Sequence, residues 1–242
     1  MTFPLKDSPY IYFNSNPIVD EIINNRQTII NEFFAAAKHR QLTTDYNKLN
    51  TESDFLNKAV SKKANASMYD GSFKSITLYM TNKLLDEPEK KEANWGVDET
   101  ERFNKELVRL MPWSTTFIFK HKNNIGAFNF NISYPGSRLD HHLGLDSNYI
   151  RLHFCIQASP HCVFDIEGWK HVWEEGEIFG FDDGNVFHGT NHKDAEGATP
   201  RIILMIDMLK SCLEPYAKTW PCRDRKPTRQ DVLKYLFSCW DK

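Results

Sequence analysis

The apolar and polar positions divide the chain into an N-terminal part with helical spacing and a longer part of short β-type runs. Asn16 and Pro17 form an N-cap and first-turn pair, and apolar residues then recur at helical spacing to about Ala37. This pattern predicts an amphipathic helix with one buried face. Residues 73–80 are instead rich in β-branched and aromatic residues, which predicts a strand.

The segments around that strand predict weaker structure. Residues 39–63 are polar with little periodicity and predict chain that wraps the surface, and residues 87–96 are charged and loop-like. Asp98 is a candidate N-cap for a second helix that includes Phe103. Pro112 is expected to end that helix, because proline lacks the amide donor that a helix interior requires.

From Thr115 to Leu209 the pattern changes to short β-type runs separated by turns. The predicted strands are TTFIFK (115–120), GAFNFNISY (126–134), NYIRLHFCI (148–156), HCVFDIE (161–167), GEIFGF (176–181) and RIILMIDML (201–209). This spacing predicts an antiparallel sandwich or jelly roll, and no βαβ alternation or glycine-rich phosphate loop is present. A closing helix is predicted from Thr228 to about Cys239.

Length and composition predict one folded domain. The chain has 242 residues, of which 40% are hydrophobic and 13% aromatic, so it has ample material for a packed core. We expect a helical N-terminal part over residues 1–112, a jelly-roll core over about 113–210 and a C-terminal helical tail over 211–242. The expected fold is therefore mainly β with flanking helices.

Charge and targeting signals narrow the partners and the compartment. The formal net charge of -2, from 30 basic and 32 acidic residues, creates no field that favours nucleic acid or an anionic membrane. Residues 1–17 lack an apolar signal region, and no stretch approaches the ~18 apolar residues of a membrane span. We therefore expect a cytoplasmic protein. Five cysteines without CxxC spacing favour neither a disulfide framework nor structural zinc, and nothing in the sequence indicates an oligomeric state.

Strand alternation places several polar side chains together on one face. Arg151 and His153 fall opposite the apolar residues of their predicted strand. A cation and an imidazole in such a run must meet solvent, a partner charge or a ligand, because burying an unpaired charge is expensive. The same alternation puts Asn131 on a polar face and Arg201 opposite the apolar residues of the last strand. Both arginines are therefore candidates for one cavity.

Two histidines add a second kind of chemistry. His142 and His188 each lie on a predicted strand or at its end. Two imidazoles can hold a divalent metal. Two guanidiniums can hold the carboxylates of an anionic co-substrate. The combination indicates iron and 2-oxoglutarate chemistry.

Three segments carry a resemblance to a known family. They are YPGSRLDHHLGLDSNYIRLHFCI (134–156), WEEGEIFGFDDGNVFH (173–188) and PRIILMIDML (200–209). In this order and spacing they resemble the aspartyl/asparaginyl β-hydroxylases. The resemblance implies a double-stranded β-helix core, also called a jelly roll or cupin-like fold. It also implies hydroxylation of an unactivated carbon that requires Fe(II), 2-oxoglutarate and O2 and releases succinate and CO2.

The resemblance also implies the metal ligands. The family uses two histidines, and a glycine stands where other such oxygenases have a carboxylate ligand. By resemblance, His142 and His188 are the ligands and Gly144 occupies the acid position. His141 is the competing first ligand, but on a strand it points to the face opposite its neighbour.

The co-substrate contacts follow from the same resemblance. Arg151 and His153 would contact the 2-oxoglutarate carboxylate nearest the iron, and Arg201 would hold the distal carboxylate as a bidentate fork. Asn131 stands where the family commonly has a small hydroxyl residue and would also contact the co-substrate. Trp173 is interpreted as a packing residue.

Several alternatives stay open at this point. The FDDG turn is expected to have a structural role. Neither Asp182 nor Asp183 is expected to be a metal ligand, but one of them could orient a ligand histidine by a hydrogen bond. A glycine at residue 144 also suits an iron halogenase in which chloride fills the acid position. A jelly-roll binding protein without catalysis is the remaining rival. The substrate is a small molecule or a peptidyl or protein group, with an aspartyl, asparaginyl or other amino-acid-like group favoured.

Overall fold

A computed structural model describes residues 8–39, 73–81, 101–103, 105–144 and 147–217. The predictions for residues 40–63, the loop at 87–96, the cap at Asp98 and the closing helix at 228–239 lie outside the described residues.

Two helices replace the single N-terminal helix that the periodicity predicts. Helix α1 spans Pro17–Asn24 and α2 spans Arg26–His39. The predicted cap is confirmed, because the side chain of Asn16 accepts hydrogen bonds from two backbone amides of the first turn at 2.9 and 3.1 Å. The break falls at Asn25, whose side-chain amide donates to the carbonyl of Glu21 at 2.8 Å and so competes with the helical pattern.

The region before the core differs from the prediction. Strand β2 spans Glu101–Phe103, α3 spans Lys105–Leu110 and α4 spans Pro112–His121. The prediction of a helix that already includes residue 103 is wrong, and so is the strand at 115–120. The apolar run in α4 is short enough to fit either a helical or a strand period. Pro112 begins this helix, because the first helical turn needs no amide donor at that position. Among the described helices, none is long and apolar enough to cross a membrane.

A buried carboxylate joins α2 to the start of α4. Glu32 accepts hydrogen bonds from the amide of Trp113 at 2.6 Å, the amide of Ser114 at 3.0 Å and the hydroxyl of Ser114 at 2.7 Å. The N-cap residue of α4, Met111, makes no side-chain cap. Glu32 therefore satisfies the free amides of this helix end from another helix.

The strands form two antiparallel sheets. The remaining elements are β1 Phe73–Thr81, β3 Ile125–Ser133, β4 Arg138–His142, β5 Tyr149–Gln157, β6 Cys162–Ile166, β7 Trp169–His171, β8 Ile178–Phe181, β9 His188–His192, β10 Arg201–Leu209, α5 Lys210–Leu213 and a 3-10 turn Glu214–Tyr216. The six-stranded major sheet has the order β2-β1-β3-β10-β5-β8, and the four-stranded minor sheet has the order β4-β9-β6-β7. The predicted jelly-roll fold, mainly β with flanking helices, is confirmed.

The two faces of the major sheet belong to different cores. Its outer face packs on the helices, and this core includes Phe33, Phe117, Phe128, Phe130, Leu152, Leu204 and Ile206. Its inner face packs on the minor sheet, and this core includes Cys155, Phe164, Ile166, Phe179, Phe181 and Ile203. Strand alternation thus decides which residues enter the space between the sheets.

Two residues on the inner face near the middle of the major sheet are partly exposed. Asn131 on β3 and Met205 on β10 are partly exposed, although the residues before and after them on each strand are buried. Both strands are central in the sheet, so solvent reaches them only from the space between the two sheets.

Candidate active site

Strands β4 and β9 bring His142 and His188 together. The two residues are register partners, and their ring centres lie 4.3 Å apart. Nδ1 of His142 lies 2.8 Å from the carbonyl of Asp140, and Nδ1 of His188 lies 3.0 Å from the carbonyl of Val186. A carbonyl only accepts, so each Nδ1 carries a proton, and Nε2 is the ring nitrogen left to bind a metal. Both rings therefore have the tautomer that binds a metal through Nε2.

The two adjacent histidines of β4 have different surroundings. Burial, followed by the nearby His188, lowers the pKa of His142 from 6.5 to about 3, so its ring is neutral at physiological pH. Nε2 of His141 lies 2.9 Å from Oδ1 of Asp165, a partner on β6. Alternation along the strand thus separates His142 from its neighbour.

Asp183 lies directly beside the histidine pair. Its Oδ1 is 3.0 Å from Nε2 of His188, and the residue is buried. A proton on that nitrogen, or a metal ion bound to it, would stabilise this contact with the carboxylate. Among the described residues, no group of three or more His, Cys, Asp or Glu side chains is arranged to hold a metal ion. The histidine pair is therefore the part of this site that fits a divalent metal with open positions.

The missing side chain at Gly144 makes room for the same aspartate. The amide of Gly144 donates to the carbonyl of Asp183 at 2.7 Å, and a Cβ at residue 144 would overlap the Asp183 carboxylate. The space that the glycine leaves is therefore filled by a carboxylate from the turn before β9.

Arg151 holds this carboxylate in place. Its Nη1 donates to Oδ1 of Asp183 at 2.7 Å, while Nε and Nη2 donate to the two oxygens of Asp207 at 2.7 and 2.9 Å. Burial alone would raise the pKa of Asp183, but Arg151 and then His188 outweigh it, so this pKa lies below its usual value. Arg151 therefore links β10 to the histidine pair, and its predicted contact with a co-substrate stays a prediction.

Arg201 is a buried cation without a carboxylate partner among the described residues. It is 2% exposed, its Nη2 donates to Oδ1 of Asn131 at 3.1 Å and its Nε has no partner. Its guanidinium carbon lies 4.6 Å from the centre of the Trp173 ring. A buried charge without a counter-ion costs several kcal/mol or more, so an anion is the expected ligand.

His153 lies on the inner face between the two arginines. Burial, with Arg201 and then Arg151, lowers its pKa well below 6.5, so the ring is neutral. Its Nδ1 has no hydrogen-bond partner in the structure. Aromatic rings surround it at centre distances of 5.0 to 6.0 Å, contributed by Phe164, Trp173, Phe179 and Phe181.

The six predicted site residues share the space between the sheets. Asn131 contacts Arg201, and Phe181 lies between the rings of His153 and His188 at 5.0 and 4.8 Å. Arg151 reaches His188 through Asp183.

Two further residues of this site were not identified from the sequence. Asp207 is the bidentate partner of Arg151, and Trp173, which was interpreted as packing, stacks on Arg201. Alternation could have indicated Asp207, because it falls on the same face of its strand as Arg201.

Part of the chain resembles three solved structures. A predicted oxalate decarboxylase from Thermotoga maritima is 18% identical, with 38% of this chain and 73% of that chain covered and a TM-score of 0.31. A cupin 2 domain-containing protein from Halorhodospira halophila is 11% identical, with coverage of 47% and 66% and a TM-score of 0.31. KdgF from Halomonas sp. is 12% identical, with coverage of 36% and 69% and a TM-score of 0.29. Nothing about ligand or reaction follows from similarities this low.

The family comparison covers much more of the chain. No curated protein matches it. The family model described as aspartyl/asparaginyl beta-hydroxylase matches residues 24–211, which include every site residue named above. This match spans well over half of the sequence, and the chain therefore belongs to the aspartyl/asparaginyl beta-hydroxylase family.

Proposed function

We propose that this chain is an Fe(II)- and 2-oxoglutarate-dependent dioxygenase that hydroxylates an unactivated carbon of an amino-acid-like substrate and releases succinate and CO2. The observation that carries the proposal is Arg201, a buried cation without an acidic partner in the described part of the chain. It shares an interior with two histidines whose Nδ1 atoms contact backbone carbonyls, which leaves Nε2 as the nitrogen that would bind a metal. Membership of a hydroxylase family supports the same reaction class.

Each end of the proposed co-substrate has its own residues. Arg201 would hold the distal carboxylate of 2-oxoglutarate, with the side chain of Asn131 beside it. His142 and His188 would hold ferrous iron, which when bound supplies the activation of O2 coupled to oxidative decarboxylation. His153 and Arg151 would lie near the carboxylate at the metal end, and the surrounding aromatic rings would exclude water.

Hydroxylation is favoured over halogenation by the position of Asp183. Its carboxylate fills the space beside Gly144 that chloride would need to enter. A second negative charge there would be repelled. We therefore expect turnover that does not depend on chloride.

The test is an anaerobic titration with ferrous iron and then 2-oxoglutarate, followed by succinate measurement in air. The wild-type protein should develop the weak visible charge-transfer band of the chelate and then form succinate, with or without chloride. His188→Ala and Arg201→Met should lose both signals, whereas His39→Ala, at the exposed end of α2, should keep both. Absence of the band together with absence of succinate in the wild-type protein would overturn the proposal.

A further inference from the structure

A buried histidine, His192, joins three parts of the chain near Arg201. It is the last residue of β9 and is 1% exposed. Its Nδ1 lies 3.1 Å from the carbonyl oxygen of Ser133, at the end of β3. Its Nε2 lies 3.0 Å from the hydroxyl of Ser159, in the turn before β6. The ring therefore connects the end of β9 to the end of β3 and to that turn.

These contacts use both ring nitrogens of His192. Burial, followed by the nearby Arg201, lowers the pKa of His192 below its usual value, so the ring is neutral at physiological pH. A carbonyl only accepts a hydrogen bond, so Nδ1 donates to Ser133, and the hydroxyl of Ser159 donates to Nε2. The ring thus has one tautomer and one orientation, and both nitrogens are engaged in holding the backbone and the turn.

Ser133 links His192 to Arg201. Ser133 and Arg201 are register partners on β3 and β10, and Arg201 is the first residue of β10. The backbone that His192 holds is therefore the backbone that pairs with the proposed carboxylate anchor. The backbone carbonyl of Thr199, two residues before Arg201, also interacts with the ring. The position of Arg201 thus depends on where His192 holds the end of β3.

The loop between β9 and β10 makes such a link important. It comprises residues 193–200, and none of them is buried. An exposed loop of this kind restrains its ends weakly. On the β10 side, Gln157 donates to the carbonyl of Pro200 at 2.7 Å. On the β9 side, His192 ties the chain to β3. The two contacts together fix the end of the sheet at which Arg201 lies.

The cluster that His192 forms beside Arg201 is polar but uncharged. Burial raises the pKa of the Cys162 thiol, which contacts the guanidinium, so this thiol stays protonated. The hydroxyl of Ser133 lies 2.7 Å from that of Ser137 and 3.8 Å from Sγ of Cys162. These groups can orient Arg201 without neutralising it, so its positive charge stays available for an anion.

We propose that His192 is a positioning residue that, through the carbonyl of Ser133, places Arg201 to receive the distal carboxylate of 2-oxoglutarate. A bidentate contact between guanidinium and carboxylate requires that the arginine be held to within about 0.5 Å, which supporting hydrogen bonds provide. The proposal rests on the proposed function, because the position of Arg201 matters only if an anionic co-substrate binds there.

The experiment compares three substitutions of His192 in the full chain loaded with Mn(II), with 2-oxoglutarate affinity measured by calorimetric titration. His192→Asn places an amide N–H near the position of Nδ1 and keeps a donor for Ser133. His192→Gln places its amide near the position of Nε2 and keeps only the contact with Ser159, and His192→Leu keeps neither. We expect His192→Gln and His192→Leu to raise the dissociation constant about tenfold, equal to ~1.4 kcal/mol, and His192→Asn to stay within about threefold.

Other readouts separate positioning from a general effect on the fold. Mn(II) affinity should stay within about twofold of the wild-type value in all three variants, since His192 does not contact the histidine pair. Succinate release should show a raised KM for 2-oxoglutarate with little change in kcat. Urea unfolding should give similar losses for His192→Asn and His192→Gln, because each keeps one of the two ring contacts. The matched control is His171→Leu, which removes a partly buried histidine that contacts Glu177 and should keep 2-oxoglutarate affinity.

Two results would overturn the inference while leaving the proposed function intact. One is wild-type affinity for 2-oxoglutarate in His192→Leu and His192→Gln. The other is equal weakening in His192→Asn and His192→Gln, or a parallel loss of Mn(II) binding, since the histidine would then only stabilise the fold. If His192→Leu does not fold, the comparison of the asparagine and glutamine variants decides. Failure of the wild-type protein to bind Mn(II) or 2-oxoglutarate would instead refute the proposed function, and this inference with it.

Discussion

At the residue scale, Gly144 and Asp183 behave as one unit. The glycine gives no ligand, yet a side chain in its place would meet the carboxylate that Arg151 holds beside His188. The residue type at position 144 is thus explained by what lies next to it in space. Its effect on the proposed metal site would be indirect, through Asp183.

We expect Gly144→Ala to weaken divalent-metal binding and to lower the free energy of unfolding by about 1–3 kcal/mol, because the new Cβ must displace Asp183. Cobalt(II) titration and urea unfolding measure the two effects. Removing the obstructing carboxylate should relieve the clash, so Gly144→Ala combined with Asp183→Ala should cost less than the sum of the single changes. Strict additivity in unfolding would contradict this explanation.

Alternation was sufficient to place the predicted co-substrate residues on one face but not to find their partners. The sequence pattern placed Arg151, His153 and Arg201 on one face, and the structure agrees. It could not show that Asp207 pairs with Arg151, because that contact depends on the register between β5 and β10. Side-chain pairs across a sheet are set by tertiary structure that a single strand does not encode.

At the element scale, the helices show where local pattern is insufficient. Residues 115–120 contain aromatic and β-branched residues and were predicted as a strand, yet they lie in α4. A short apolar run fits both periods, and here the decision is made by packing on β3 and by the carboxylate of Glu32 at the helix start. The long strands β3, β5 and β10 were predicted within one or two residues, because their alternation extends over nine residues in each case.

Glu32 is expected to stabilise this helix arrangement. Glu32→Ala removes three hydrogen bonds to the start of α4 and should lower the free energy of unfolding by about 2–3 kcal/mol. The matched control is Glu21→Ala on α1, which breaks contacts with the exposed Lys120 and with His121 at the other end of α4 and should cost less than about 1 kcal/mol. Urea unfolding measures both variants, and an equal loss would show that burial of the Glu32 carboxylate has no special effect.

At the scale of the whole molecule, the buried neutral histidines link stability to pH. His142 has a pKa of about 3 in the folded protein and His153 lies well below 6.5, whereas both have pKa values near 6.5 when unfolded. The unfolded chain therefore binds more protons between these limits, and stability must fall as the pH drops below about 6.5. Each histidine contributes a slope of up to about 1.4 kcal/mol per pH unit.

We expect His153→Phe to reduce this slope by up to about 1.4 kcal/mol per pH unit below pH ~6.5, because phenylalanine has no proton to gain. The slope is measured by urea unfolding of the metal-free protein between about pH 7.5 and about pH 5, a range that brackets the ordinary histidine pKa. The aromatic surroundings of residue 153 suit a phenyl ring, so the variant should fold. An unchanged slope would mean that His153 is already protonated in the folded state.

Charge around the histidine pair should determine the order in which the proposed metal and 2-oxoglutarate bind. Arg151 contributes one positive charge, and its partners Asp183 and Asp207 contribute two negative charges, so +1 − 2 leaves −1 beside the histidine pair. Adding a divalent metal gives −1 + 2 = +1. A carboxylate is therefore repelled from this end of the site without metal and attracted once metal is present.

We therefore expect 2-oxoglutarate to bind at least about tenfold more weakly to the metal-free protein than to the Mn(II)-loaded protein, a difference of ~1.4 kcal/mol that calorimetric titration can resolve. Asp207→Asn changes the local sum from −1 to 0 and should strengthen metal-free binding. Asp165→Asn, which alters an acid that pairs with His141, should not. Equal affinity with and without metal would show that Arg201 alone supplies the binding energy and that charge at the histidine end does not govern the order of binding.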